Sequence, residues 1–521
     1  MTSKLPLEIL DGKDTIGGTK ILVHENRRGL LLDFGLNFAL YGQFFEEYMK
    51  PRPVVGLADL WQMRLIPPYL DLYRPELVQC AFSDARKLPV DVVDGIVISH
   101  AHLDHFGLVG TIKLDVPVIS SAVTLALLRA HQDSGRTEFY SDAAYGSPYQ
   151  KDTCRIHQIL KTGDYRTCPH EGRNAFVMHG ALSAELKNLW QRKANPDGSG
   201  RNMASGNIGT VDEITERWKI RAYPVDHSIP GACAVTIETE NSVIAYTGDL
   251  RFCGTKAAES KQFVKEAGKL DVDVLITEGT QVARQNQCKT NEEECREKCE
   301  DVIPRAKTKL VIADFSAKNI ERLIMFLNVG LSCGRRLVIL PKDACLLNYL
   351  RQIEPSTPEP CDSLLVYDTP KGKEDKWEEW IYNAYSNHLV SAADIAGAPG
   401  EYILAFSLFD MKYLNDIKPK GGTYIHSSSE PYDEEQIIDF KRLYNWLSFY
   451  RLDIRGFKIK KTEDEDIQVE MENGFHSSGH MTIDEIKEMV DEIKPKTILP
   501  VHTSNPKWFK DEFSEHCEVV L

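Results

Sequence analysis

Residues 96–108 read IVISHAHLDHFGL: an apolar, β-branched run breaks abruptly into His100, His102, Asp104 and His105. A run of this kind reads as a buried strand, so the four polar side chains stand at its mouth. His100 and His102 are two apart in an extended segment and point to the same side, while the turn that follows presents Asp104 and His105 in another direction. That geometry suits two adjacent metal ions better than one. Histidine combined with carboxylate suits zinc, and less selectively manganese or iron. The competing reading is a solvated histidine cluster.

The rest of the chain decides between them. Asp33 ends GLLLDFG, His227 follows RAYPVD, Asp249 ends SVIAYTGD, Glu278 ends DVLITEG and His502 ends TILPVH, so each candidate stands where an apolar run stops. In open α/β sheets, sites gather at the carboxyl ends of strands. One pocket collects them all.

Further runs of the same kind (KILV, VPVIS, ACAVTIETE) alternate with segments of helical periodicity (AVTLALLRAHQ, SAKNIERLIMFLNVG, EEQIIDFKRLYNWLSFY and TIDEIKEMVDEIK), which makes the class α/β. From 286 to 455 the texture changes. A charged helix is followed by VIADF, RRLVILP, SLLVYD and EYILAF interleaved with helices, the pattern of a smaller α/β unit with a largely parallel sheet. The first pattern resumes at QVEMENGFHSSGH and TILPVHTS. The expected organisation is therefore residues 1–285, an inserted unit at 286–455, and a returning part at 456–521. Two stretches read as insertions: an aromatic, proline-rich loop at 40–80, and the Gly/Ser/Asn-rich 194–210, which lacks the GK[ST] ending of a phosphate loop.

The bulk composition narrows the class of function. A formal charge of −15 over 521 residues argues against a passive nucleic-acid coat, which needs clustered Lys and Arg. It does not exclude a nucleic-acid enzyme, because divalent cations held in a pocket supply local positive charge. No apolar stretch reaches the ~18 residues of a membrane span, and MTSKLPLEILDGKD has no basic flank followed by an apolar core, so a cytoplasmic location and no membrane partner are expected. The 12 cysteines lack paired CxxC spacing and read as reduced thiols. Cys295 and Cys299 lie one turn apart on a surface or half-buried helix, with Thr290 and Glu293 read as its capping box.

HAHLDH resembles the HxHxDH signature of the metallo-β-lactamase fold, with Asp33 as the first motif, His227 in VDHSIPG as the third and Asp249 in YTGD as the fourth. Later segments are similar to the β-CASP branch of that superfamily: Glu278 matches motif A, His480 in HSSGH motif B and His502 in LPVHT motif C. Within it the chain most resembles the RNase J-like ribonucleases, in VDHSIPG, ITEGT, SSSEPYDEE with RLYNW, and FHSSGH. The resemblance implies a four-layer αββα metallo-β-lactamase sandwich with an inserted β-CASP domain, and two Zn²⁺ per chain, with Mn²⁺ as the alternative. His100, His102 and His227 would hold one ion and Asp104, His105 and His502 the other, with Asp249 bridging. Asp33 would orient a ligand imidazole from behind. Catalytic roles fall to Asp104, Glu278 and His480, with His480 giving a proton to the leaving ribose oxygen and Glu278 orienting it. His476, Ser477 and Ser478 are candidates for substrate phosphate, and Ser427, Ser428 and Ser429 weaker ones. Of the remaining histidines only His179 rivals His227 as third ligand, and it lacks the SIPG continuation.

A histidine at motif C is typical of RNA-acting members, so the implied partner is single-stranded RNA, with DNA second. The implied activity is 5′-to-3′ exonucleolytic, with endonuclease activity beside it, in RNA processing or decay. Two other classes stand against it: a small-ester hydrolase of the same fold, which would lack motifs A, B and C, and a non-catalytic RNA-binding scaffold, which would have lost ligands. The stretch between His105 and His227 is long for the family, so a remodelled rim is expected there. With little chain after His502, the C-terminal domain that supports oligomerisation in many such ribonucleases is not expected, and no oligomeric state follows.

Overall fold

The strand that feeds His100 lies in the middle of a sheet of seven. In the computed structural model, which describes residues 6–521 apart from 47, 80–81, 136–137, 155–156, 165, 195–199, 215–216, 285–289, 432–433 and 462–466, this sheet runs in the order Leu7–Asp11, Lys20–Glu25, Arg28–Phe34, Val92–Val97, Val118–Ser121, Ala175–His179 and Ile208–Thr210. The first three strands form an antiparallel meander, and from Arg28–Phe34 onward the pairing is parallel. A second sheet of six runs Lys219–Pro224, Cys233–Glu238, Val243–Tyr246, Val274–Glu278, Thr497–Val501 and Glu518–Val519. Its fifth strand comes from the far end of the chain and pairs parallel with Val274–Glu278, setting Glu278 opposite Val501. That register puts Glu278 and His502 side by side at one sheet edge.

The two sheets face each other across one apolar core. Leu30, Leu32, Val97 and Ile119 of the first pack with Val235, Ile237, Ile244, Tyr246 and Ile276 of the second, all fully or almost fully buried. The alternate residues of the second sheet, Ala234, Ala245, Leu275 and Ile498, turn outward against helices Ala257–Ala267, Ile483–Ile493 and Pro506–Phe513. Helices Ala122–Ser134 and Ala184–Gln191 cover the outer face of the first sheet. The result is the four-layer αββα sandwich, and burying both faces of each sheet is what gave these strands their continuous apolar sequence.

The long stretch between His105 and His227 builds a three-stranded sheet from Tyr145–Gly146, His170–Gly172 and Met203–Ala204, and a hairpin from Tyr149–Cys154 and His157–Thr162. Arg173 anchors it: the buried guanidinium donates to the carbonyls of Ala143, Lys113, Val116, Val109 and Ile112 at 2.7–3.2 Å. Within the 194–210 loop, residues 195–199 lie outside the described residues.

The chain divides by contact into two units, one of residues 1–252, 257–285 and 480–521, the other of 253–256 and 286–479. The second unit holds a seven-stranded sheet, parallel throughout, in the order Leu389–Val390, Leu364–Tyr367, Arg336–Ile339, Tyr402–Ala405, Leu310–Asp314, Gly422–His426 and Leu452–Arg455. The seam expected after 455 falls instead after 479. Phe457 is buried in this unit's core against Tyr424 and Phe440, and the Phe475 carbonyl accepts from Arg322 Nη1 (3.1 Å) and Ser427 Oγ (2.6 Å), which ties 456–479 to the parallel sheet. The charged helix at the start of this unit, Glu292–Val302, is capped by Asn291 with Glu294, one residue later than the Thr290–Glu293 pair suggested, and it buries Cys295 and Cys299 completely. Among the described residues, no helix is long and apolar enough to cross a membrane.

Candidate metal centre

Every strand-terminal residue singled out in the sequence is brought to one edge of the sandwich. His100 and His102 follow Val92–Val97, and Asp104 and His105 lie on the short helix Leu103–Phe106. His227 follows Lys219–Pro224, Asp249 follows Val243–Tyr246, Glu278 ends its strand and His502 follows Thr497–Val501. The close packing needs unusual backbone. Asp33 and His502 take left-handed φ values of 55° and 52°, rare for residues with a side chain. A Cβ on Gly35 would lie 1.6 Å from the Asp104 carbonyl oxygen, so only glycine lets that strand end meet the helix.

The donor atoms fall into three overlapping sets, the third being Asp249, Glu278, His480 and His502. His100, His102, His227 and Asp249 each offer an atom within 4.8 Å of the others, and so do Asp104, His105 and His502. In the first, His102 Nδ1 lies 3.0 Å from His100 Nε2 and 3.1 Å from His227 Nε2. Nitrogens around a tetrahedral zinc at about 2.0–2.1 Å stand roughly 3.3 Å apart, which is close to this spacing. In the second, Asp104 Oδ2 lies 3.1 Å from His502 Nε2 and 3.8 Å from His105 Nε2. Asp249 Oδ2 sits between them, 3.2 Å from His105, 3.6 Å from His100, 3.7 Å from His502 and 3.9 Å from His227. Two buried atoms here, His105 Nε2 and Asp249 Oδ1, have no hydrogen-bond partner among the described residues. Buried polar atoms are rarely left so, and both are donors of the kind a divalent cation takes. The residues fit a metal.

Charge in the cluster follows from these contacts. Burial works against ionising Asp249, yet His105, His502 and His480 together hold its carboxyl well below the ordinary range. Burial also disfavours a proton on His105, but the carboxylates of Asp249, Asp104 and Asp33 reverse this and raise its pKa well above the usual value. His100 goes the other way, pushed down by burial and then by His105 and His227.

Behind the ligands stands a layer that sequence reading saw only in part. Asp33 accepts from His105 Nδ1 (2.7 Å), as the family pattern implied, and also from the Ser99 amide (2.8 Å), Ser99 Oγ (2.7 Å) and Tyr246 OH (2.5 Å). Its Nδ1 held this way, His105 turns Nε2 toward the centre. Ser99 and Tyr246 passed unnoticed, although each lies within three residues of a ligand motif. On the other flank Glu278 faces His480 Nδ1 at 3.1 and 3.2 Å and accepts from Thr280 Oγ1 at 2.6 Å. His480, burial opposing, is the main influence that lowers the Glu278 pKa.

His476, Ser477 and Ser478 belong to the second unit, where Ser477 and Ser478 are buried. Ser427 of that unit is committed to the Phe475 carbonyl and Arg322, a packing role rather than an open anion site. His179 is exposed at the end of its strand and joins none of the donor sets.

The family model for the "Zn-dependent metallo-hydrolase RNA specificity domain" matches residues 465–518. Ribonuclease J of Mycoplasma genitalium is 26% identical over 303 residues, 57% of this chain and 48% of that protein. Ribonuclease J of Pyrococcus abyssi is 22% identical over 430 residues, 81% of this chain and 77% of that one. The chain is thus similar to ribonucleases J, and residues 465–518 match the RNA specificity domain of zinc-dependent metallo-hydrolases. Another relative, ribonuclease J2 of Bacillus subtilis, is 23% identical over 60% of this chain and 52% of its own. The chain spans about half the length of the Mycoplasma and Bacillus relatives. A structure of a protein of unknown function from Enterococcus faecalis shares the fold, with a TM-score of 0.63 at 18% identity over 99% of this chain and 97% of that one.

Proposed function

We propose that this protein is a dinuclear, zinc-dependent ribonuclease that hydrolyses phosphodiester bonds of single-stranded RNA from the 5′ end, with endonuclease activity beside it, in the cytoplasm. The observation that carries the proposal is the Glu278–His480 pair, set beside the other two donor sets within one cluster that also includes Asp249 and His502. A hydrolase of small esters has no need of an additional acid–base pair at this place.

His100, His102 and His227 would hold one cation and Asp104, His105 and His502 the other, with Asp249 facing both. Bound there, divalent cations polarise a phosphoryl oxygen and make a nucleophile available at neutral pH. The chain's own groups do the rest. Asp33, fixed by Ser99 and Tyr246, keeps His105 in one orientation, and Glu278 keeps the His480 ring in another. As the bond from phosphorus to the leaving ribose oxygen breaks, His480 Nε2 delivers the proton that oxygen needs, the role a positioned imidazole fills near neutral pH. His476, Ser477 and Ser478, in the turn leading to His480, are proposed to receive a neighbouring phosphate of the strand.

The test is product analysis on 5′-labelled and 3′-labelled RNA and DNA, with zinc or manganese returned after chelation. Mononucleotides released first from the 5′ end of 5′-monophosphorylated RNA support the proposal. Cleavage of DNA in preference to RNA, or no cleavage with either metal, removes it.

A further inference from the structure

Thr280 Oγ1 stands where three groups of the centre meet. It lies 2.6 Å from Glu278 Oε2, 2.9 Å from His502 Nδ1 and 3.1 Å from His480 Nδ1, with the His502 carbonyl at the limit of 3.5 Å, and the residue is almost fully buried. A hydroxyl has one proton to give and two lone pairs to receive with. An ionised carboxylate only accepts, so the proton goes to Glu278 along the shortest contact. Both lone pairs then face ring nitrogens, and each of those must carry hydrogen. His502 and His480 therefore both carry a hydrogen on Nδ1.

For His502 that is the placement the donor set requires, because its Nε2 faces Asp104 Oδ2 at 3.1 Å and Asp249 Oδ2 at 3.7 Å. His480 has a second acceptor for the same hydrogen in Glu278 Oε1 and Oε2 at 3.2 and 3.1 Å. The hydrogen-bond partner of His502 Nδ1 is Thr280. We propose that Thr280 is a positioning residue whose hydroxyl accepts from Nδ1–H of both His502 and His480 and so orients the two rings together, coupling one metal set to the proton-donating pair. It touches no reacting atom. The part concerning His480 rests on the ribonuclease reading above, and the part concerning His502 does not.

Thr280→Val keeps the shape and removes the acceptor, so His502 escapes a buried, unpaired N–H by moving its hydrogen to Nε2, where a cation would bind. The experiment is zinc titration of the stripped full-length protein against a competing chelator, for the parent, Thr280→Val and Thr280→Ser. Loss of an outer hydrogen bond of this kind typically weakens metal binding about 10- to 100-fold. Thr280→Val is expected to show that loss at one of two zinc sites, and Thr280→Ser to bind as the parent does. Equal affinity in Thr280→Val and the parent overturns the proposal, as does a Thr280→Ser protein as weak as Thr280→Val. Should Thr280→Val fail to fold, ¹⁵N-histidine NMR of the stripped parent decides, with the His502 signal identified from His502→Gln: a hydrogen on Nδ1 supports the proposal, whatever Nε2 carries, and an Nδ1 without hydrogen refutes it. A parent that binds zinc but leaves RNA intact would end the ribonuclease reading while these measurements still judge Thr280.

Discussion

At Asp249 the two carboxylate oxygens have different surroundings. Oδ2 has ring nitrogens of five histidines within 3.2–3.9 Å, while Oδ1 is buried without a hydrogen-bond partner among the described residues. Among the described residues, the ion pairs of the Asp104 carboxylate are with His105 and His502, so the two aspartates serve different ranges of the centre. Metal analysis after dialysis should separate them: Asp249→Asn loses zinc from both sets, whereas Asp104→Asn loses it from one and keeps the other. Equal losses in the two variants would mean that Asp249 does not bridge. At this scale the sequence was most legible for residue types that only metal chemistry explains, the histidines and aspartates of HAHLDH and YTGD. Ser99, Tyr246 and Thr280 were not legible, because serine, tyrosine and threonine are common and their meaning lies in the partner across the sheet. A hint existed for Thr280: in ITEGT it stands two residues after Glu278, on the same side of an extended segment.

Among the elements, long apolar strands and amphipathic helices were readable, and short pieces were not. The helix periodicities at 122–132, 316–330 and 482–494 fall on Ala122–Ser134, Ile320–Ser332 and Ile483–Ile493. The sheet between His105 and His227 contains strands of two and three residues, too short to carry a period of two. Its stability comes from Arg173 and from tight packing, which includes His170 set against the Tyr145 ring at 4.8 Å. Burial, and next Arg201, push the His170 pKa down to about 4 from 6.5. The sign follows from linkage. As pH falls the unfolded chain takes up this proton first, so the stability His170 contributes is present above about pH 6.5 and is lost as pH drops toward 4. Melting temperatures of the parent and His170→Gln, followed from about pH 7 to pH 4, should therefore converge or cross in favour of the variant as the solution is acidified. Parallel curves would show that the His170 ring is charged equally in both states.

For the molecule as a whole, the chemistry depends on chain returns that join distant segments. Thr497–Val501 pairs with Val274–Glu278 across more than two hundred residues, and that one register sets His502 beside Glu278. The α/β class and the existence of an inserted unit followed from strand and helix texture. The seam at 479 did not, because the hairpin Phe457–Lys461 and Ile467–Met471 has the same alternating texture whichever sheet it joins, and burial of Phe457 decides the matter. The net charge of −15 raises the question of how such a chain would hold a polyanion, and the answer proposed here is a centre whose positive charge is borrowed from cations. The central claim is that this centre works with His480 as its proton donor. Single-turnover RNA cleavage by His480→Gln, with zinc content measured on the same sample, tests it most directly. The account predicts zinc equal to the parent and a rate lower by about 10²- to 10⁴-fold; zinc equal to the parent with an unchanged rate would contradict it.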